Sequence, residues 1–358
     1  MDDFWLTSGK LVTPRGVIDG AVKIAHGRIA AIRPKAPRGA KAISARGGFV
    51  SPGFIDLHVW GDPQVVSREA AKHGTTAFLT TLGPEAPQTL RRSMAALKHH
   101  GGFEGAQCLG VHLEGPYVSS KRAGALPKRW MRSPSVAELQ TLSREGPPIR
   151  MVTLAPELPG AREVIRWCKR RNIAASLGHS EAEAPHALDA IAEGASVITH
   201  VYNGMKPFHH REPSLLGVAL TDDRLTTMVI LDGVHVDVYA FRLLLKAKGS
   251  DRIALVTDSI RHQGWDVVQR HGAYYIHQDV LAGSSLTMLR AVRNAVVSGG
   301  ASLYDAVKMA SWVPARLLGF ERGRGALAVG RRADLSVFDR RFHGRMTIVG
   351  GHVVWQHS

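Results

Sequence analysis

Cysteine is nearly absent from this chain of 358 residues, which carries only Cys108 and Cys168. Two thiols cannot form the disulfide framework of a small secreted domain, and such sparing use fits a reducing cytoplasm. Long apolar runs are missing too. No stretch approaches the roughly 20 residues that span a bilayer, and the opening MDDFWLTSGK is acidic where a signal peptide is basic. Neither a membrane span nor export is expected, and the cytoplasm is the expected location. Internal repeats, low-complexity tracts and long linkers are also lacking, which argues against a solenoid or a string of modules. Acidic residues are in deficit: 46 Lys and Arg face 30 Asp and Glu, a formal charge of +16. That excess suits nucleic acid, a membrane surface or a small anionic substrate. Yet Lys169-Arg170-Arg171, Arg331-Arg332 and Arg340-Arg341 are short, separated runs with no aromatic interleaving and no basic tail. A solvated surface accounts for most of them, and nucleic acid is not an expected partner.

A hydrophobic content of 44% over this length is enough to bury a large core, as two ordinary domains or as one barrel with an attachment. The two ends read alike. Residues 20–32 give two alternating runs about a His-Gly turn, and residues 333–339 and 346–355 give a strand and then strand, Gly turn, strand. β-rich ends around a β/α middle predict that residues 1–50 and 326–358 form one small β-sandwich domain, with residues 51–325 as a closed insertion. Within that middle, apolar strand candidates occur at 53–57, 76–80, 108–113, 150–154, 173–178, 195–199, 227–231 and 253–257. Helical stretches at 87–99, 135–143, 162–171, 238–248, 288–298 and 302–312 fall between or after them. This is the rhythm of an α/β fold, a (β/α)8 TIM-like barrel. The excursion over residues 261–283 reads as a hairpin-like insertion.

The stretch 177–205, LGHSEAEAPHALDAIAEGASVITHVYNGM, places His179 and His200 directly after two strand candidates. Between them, Pro185 suits the first turn of a helix, with Leu188, Ile191 and Ala192 on the face turned to a sheet. Such a helical crossover makes the strands parallel neighbours and brings both imidazoles to one C-terminal edge. Other strand ends are polar as well: His58 after the first, Glu114 after the third, Asp232 and His235 after the seventh, Asp258 after the eighth. Any one of these could cap a helix or brace a loop. Together, at the barrel edge where catalytic groups collect, they predict one shared site. Glu114, His179 and His200 make a three-ligand set suited to zinc, with a fourth position left open to water. Asp258, on the closing strand, faces that position as general base and returns the proton to a leaving amine. The chemistry expected is metal-assisted hydrolysis of an amide.

The motifs that carry these residues are PGFIDLH (52–58), HLEGPY (112–117), LGHS (177–180), THVYNGM (199–205), LDGVHVD (231–237), LVTD (255–258) and LAGSSLTM (281–288), with the closing segment GALAVGRRADL (325–335). In this order, over essentially the whole chain, they resemble the N-acetylglucosamine-6-phosphate deacetylase family of the amidohydrolase superfamily. The resemblance implies that Glu114, His179 and His200 hold the metal and that Asp258 is the catalytic acid/base. It also implies that His235 contacts the sugar and that the turn at Asn203 and Gly204 helps hold a phosphate. Arg211, whose planar fork suits phosphate oxygens, would then be donated by the other subunit of a homodimer. The implied reaction is N-acetylglucosamine 6-phosphate plus water to glucosamine 6-phosphate plus acetate.

Three positions depart from the family pattern, the mildest being Gly204 in Asn203-Gly204-Met205, a conservative change from the family's Asn-Ala-Met. Many amidohydrolases carry His-x-His after the first strand, where this chain has His58-Val59-Trp60. One divalent ion, with zinc as the first choice, is therefore expected, and His58 is left as an additional ligand or an outer-shell donor. Where the family has Gly-Ala-His, this chain has Gly124-Ala125-Leu126. Leu126 keeps open the same hydrolysis on another N-acyl sugar or a cyclic amide, and with Trp60 it raises the alternative of an inactive ligand-binding relative. The intact set Glu114, His179, His200 and Asp258 argues for an enzyme.

Overall fold

The computed structural model describes residues 3–98, 101–261, 267–276 and 280–357. Both chain ends enter one sheet. Its strands run in the order His352–Gln356, Gly344–Val349, Leu335–Phe338, Phe49–Pro52, Phe4–Thr13, Gly16–Ala25 and Arg28–Arg33, with Ala42–Ser44 beside Phe4–Thr13. The seam between the ends is antiparallel, Leu335 opposite Pro52 and Phe338 opposite Phe49. Alternation along these strands sends Leu6, Leu11, Val22, Ile24, Ile29, Val50, Leu335, Val337 and Ile348 into a shared core. The chain leaves this sheet at Gly53, whose N–H donates to the Asp334 carbonyl at 2.9 Å. A Cβ there would lie 2.2 Å from Thr76, so only glycine fits so close a crossing.

The second sheet is the barrel. Phe54–Gly61, Thr75–Leu82, Gln107–Glu114, Ile149–Leu154, Ala174–Leu177, Val197–Ile198, Thr226–Ile230 and Ile253–Val256 follow one another in chain order, each parallel to the next. Closure is made by side chains and by the segment just past the last strand. Asp56 accepts from the Thr257 hydroxyl at 2.5 Å and from its N–H at 3.2 Å. The Asp258 N–H donates to the His58 carbonyl at 2.9 Å, and Ser259–Arg261 then pairs in parallel with the first barrel strand. The excursion that follows contains three antiparallel strands, Val268–Arg270, Ala273–Ile276 and Val280–Ser284. Residues 262–266 and 277–279 of the predicted insertion lie outside the described residues, as does His99 of the helical stretch expected over 87–99.

Helices return between the strands with their apolar stripes inward. Ala161–Arg170 buries Val164, Ile165, Trp167 and Cys168, and Met288–Val297 buries Leu289, Ala291, Val292 and Ala295. The helix between the two predicted ligand histidines spans Ala184–Glu193 with Pro185 in its first turn. Its inward face differs from the expectation. Ala187, Ala190 and Ile191 are buried, whereas Leu188 is 46% exposed and Ala192 is exposed. Residues 187, 190 and 191 follow the i, i+3, i+4 spacing of one stripe, and each next residue is turned about 100° away. Small residues on that stripe let the helix sit close to the sheet. Among the described residues no helix is long and apolar enough to cross a membrane.

Candidate active site

Glu114 is the last residue of the third barrel strand, and His179 and His200 lie just past the ends of the fifth and sixth. All three are buried. His179, His200 and Asp258 have φ of +47°, +23° and +48°, a left-handed backbone at three non-glycine residues. Such conformations are disfavoured by roughly 1–3 kcal/mol each and persist only where the surroundings impose them. Here they gather at one edge of one sheet.

The three side chains converge. Glu114 Oε1 lies 3.1 Å from His179 Nε2 and 2.8 Å from His200 Nε2, and the two ring nitrogens are 3.1 Å apart. One ligand atom from each residue falls within 4.8 Å of the others. The His179 Nδ1–H donates to the Arg122 carbonyl at 2.7 Å, so whenever the ring is neutral Nε2, the atom facing Glu114, carries the lone pair; burial opposes charge on the ring, but the adjacent Glu114 carboxylate raises its pKa. Burial disfavours charge on Glu114, but the facing rings of His58, His179 and His200 outweigh it and hold the carboxyl well below the ordinary range. A carboxylate and a lone-pair nitrogen, with a second imidazole nitrogen in the same small volume, form a donor set that fits a divalent cation.

A cavity of about 510 Å³ opens above this cluster. Glu114, His179, His200 and Asp258 line it, together with Asn203, Gly204 and His235. The His235 Nδ1–H donates to Asp232 Oδ2 at 2.6 Å, while Asp232 Oδ1 accepts the N–H groups of Val234 and His235 at 2.8 and 2.7 Å. The imidazole is thus locked with Nε2 available to a ligand. Gly204 has φ +61°, and a Cβ on it would stand 2.9 Å from His179 Nδ1, so the turn after His200 is pressed against the metal-type cluster.

Two predicted site residues do not line the cavity. His58 is inside the first barrel strand rather than past its end, because that strand continues to Gly61. It is fully buried, and its Nε2 lies 3.2 Å from Glu114 Oε2 and 3.3 Å from Asp258 Oδ1. Burial opposes charge on this ring, but the two carboxylates prevail and raise its pKa to about 9. The Nε2–H donates to Glu114 Oε2, and the charge of the ring faces Asp258 Oδ1, which sets His58 between the two carboxylates beneath the cavity. Arg211 does not line the cavity of its own chain. It is exposed, with Nη1 2.9 Å from His210 Nε2.

Other participants carry no readable signal of a role. His112, within the HLEGPY motif, has Nδ1 3.0 Å from the Leu57 carbonyl and Nε2 2.7 Å from the Thr153 hydroxyl. Burial pushes it down to about 3, so the neutral ring donates from Nδ1 and accepts at Nε2. Asp56 closes the barrel as described, and Arg129 and Trp130 join the cavity wall. Strand alternation marks His112 and Asp56 as inward, but their partners come from distant segments, and Arg129 and Trp130 lie on a short helical turn, Lys128–Trp130, outside any strand.

The family model described as Amidohydrolase family matches residues 49–354, and one for the composite domain of allantoinase matches residues 1–44. With a closed β/α barrel and a buried Glu-His-His cluster at its C-terminal edge, the chain is an amidohydrolase, a hydrolase acting on carbon–nitrogen bonds. The N-acetylglucosamine-6-phosphate deacetylase of Bacillus subtilis (strain 168) is 34% identical, covering 96% of this chain and 95% of that protein. The human protein of the same name is 34% identical over 99% of this chain. Among solved structures, the Pasteurella multocida N-acetylglucosamine-6-phosphate deacetylase matches with a TM-score of 0.88 at 29% identity, covering 99% of this chain and 100% of that one. A mutant of the Mycobacterium smegmatis deacetylase, solved with N-acetyl-D-glucosamine-6-phosphate, gives a TM-score of 0.87 at 30% identity and covers 99% of this chain. The chain belongs to the N-acetylglucosamine-6-phosphate deacetylase family.

Proposed function

We propose that this protein removes the acetyl group from N-acetylglucosamine 6-phosphate, giving glucosamine 6-phosphate and acetate, with Glu114, His179 and His200 holding one divalent ion, zinc first among the candidates. The observation that carries this reading is the convergence of those three ligands within 4.8 Å on the floor of a cavity that Asp258 also lines. An ion bound there supplies Lewis acidity to a carbonyl oxygen and acidifies water. Asp258 accepts the proton of the attacking water and delivers it to the amine nitrogen as the carbon–nitrogen bond breaks. His58 links Glu114 to Asp258 and holds ligand and base in one frame. His235, locked by Asp232, offers Nε2 to the sugar, and the backbone of Asn203 and Gly204 receives the phosphate. The exposed Arg211 reaches the phosphate in the other subunit of a homodimer. Phe208, three positions before Arg211, is exposed, an apolar side chain beside it that suits a subunit contact. The excess of basic residues suits an anionic substrate, and the cytoplasm suits a phosphorylated metabolite.

The test is acetate release by protein of known metal content, from N-acetylglucosamine 6-phosphate, its galactosamine epimer and the unphosphorylated sugar. Turnover is expected on the first substrate, with kcat/KM reduced by about a hundredfold or more when the phosphate is missing, as befits loss of charge-assisted contacts. The same specificity loss is expected for Arg211→Ala. Equal rates with and without phosphate would exclude the assigned phosphate site, and no turnover on any N-acetyl sugar would exclude the reaction.

A further inference from the structure

Trp60 stands on the first barrel strand two residues beyond His58, so alternation sends both side chains to the same inward face. Its ring is almost wholly buried and forms part of the cavity wall. Gly83 makes room for it, since a Cβ at that position would lie 3.0 Å from Trp60 Cη2 and 3.5 Å from Leu126 Cδ2. The polar edge of the ring meets the proposed base: Trp60 Nε1–H donates to Asp258 Oδ1 at 2.9 Å. The same oxygen faces His58 Nε2 at 3.3 Å. Asp258 Oδ1 thus accepts the indole N–H and faces the buried His58 ring, whereas Oδ2 has no hydrogen-bond partner among the described residues.

This asymmetry matters for a group that must receive and return one proton. A carboxylate free to rotate presents either oxygen and spends time in unproductive orientations, whereas one oxygen pinned by a fixed donor defines the place of the other. Trp60 suits this task because an indole donates and never accepts, so it cannot take the proton from Asp258 or exchange roles with it. Its ring, seated in the space left by Gly83 and beside Leu126, has little freedom of its own.

Resting on the assignment of Asp258 as the acid/base, we propose that Trp60 is the positioning residue for Asp258: its indole N–H pins Oδ1 and thereby assigns the proton transfer to Oδ2. Trp60→Phe keeps an aromatic ring and removes the donor. The expected result is a fall in kcat of about tenfold or more, in line with loss of a hydrogen bond to a charged group, with KM within twofold and metal content unchanged. Replacing Trp60 by 3-benzothienylalanine, which puts sulfur in place of the N–H at nearly constant shape, separates donor loss from repacking and should lower kcat equally. Unchanged kcat in the isostere overturns the proposal, as does a rise in KM at constant kcat, which would make the ring a substrate wall only. Asp258→Asn is measured in parallel. If it stays active, the assignment of Asp258 fails; if it is inactive while the isostere turns over like the wild type, only the role of Trp60 fails.

Discussion

His200 Nε2 lies 2.8 Å from Glu114 Oε1, although 86 positions separate the two residues in the chain. His179 Nε2, which carries the lone pair when the ring is neutral because Nδ1–H is committed to Arg122, lies within 3.1 Å of both atoms. Lone pairs packed this closely in a buried site repel unless a positive charge lies among them. Bound metal should therefore contribute to folding stability as well as to catalysis. Metal stripped by a chelator is expected to lower the Tm by several degrees, and stoichiometric zinc should restore it. Glu114→Gln should hold less than a tenth of an equivalent of metal and show no Tm response to zinc. Elemental analysis together with calorimetry checks this, and a Tm unaffected by chelation and by zinc would sink it.

Asp334 anchors the small sheet to the barrel. It is buried at the start of the seam between the chain ends, where Oδ2 accepts from Arg324 Nη1 at 2.7 Å, and Oδ1 accepts from Arg332 Nε at 3.0 Å and from the Gly350 N–H at 2.7 Å. Arg324 in turn donates to Gln107 on the third barrel strand. Removing one member of a buried ion pair strands the other, at a cost of roughly 3 kcal/mol. Asp334→Ala should lose about that much stability, and Arg324→Met added to it should cost little more, because the pair acts as a unit. Urea unfolding of the two single variants and the double variant gives the coupling; strictly additive losses would refute it.

The barrel was legible because short apolar runs alternate with helical segments along its whole length, and parallel strands buried on both faces write themselves as such runs. The gathering of Glu114, His179, His200 and Asp258 at one edge followed from the same rule, since each ends or follows a strand. The limits of that reading are physical as well. His58 was expected past its strand, but Val59 and Trp60 continue the pairing to Gly61, and an inward histidine inside a barrel strand reads like an exit. Leu188 was expected to face the sheet because leucine is apolar, yet the helix packs through alanines that allow closer approach. The bond from Trp60 to Asp258 spans 198 positions and exists only once the eighth strand has come round to the first. Chain order carries no mark of such a contact.

The pair Asp232 and His235 offers a prediction that separates binding from chemistry. Asp232 fixes His235 twice, through its ring Nδ1–H at 2.6 Å and through its backbone N–H at 2.7 Å. The carboxylate decides which ring nitrogen keeps its proton, and so which face His235 shows to the cavity. Asp232→Asn changes this without removing the ring: the amide oxygen still accepts, but the orientation is less strongly held and the charge is gone. Loss of a charge-assisted bond of this kind is worth about 1.5–3 kcal/mol, to be felt wherever His235 touches substrate. The expected outcome is a rise in KM of about tenfold for N-acetylglucosamine 6-phosphate, a smaller change in kcat, and full metal content. His235→Ala should reproduce the KM effect, and adding Asp232→Asn to it should do nothing further to KM, because the carboxylate would have no ring left to orient. Steady-state kinetics on the three variants decide the matter: additive effects on KM would mean that Asp232 acts on the substrate or the loop independently of His235.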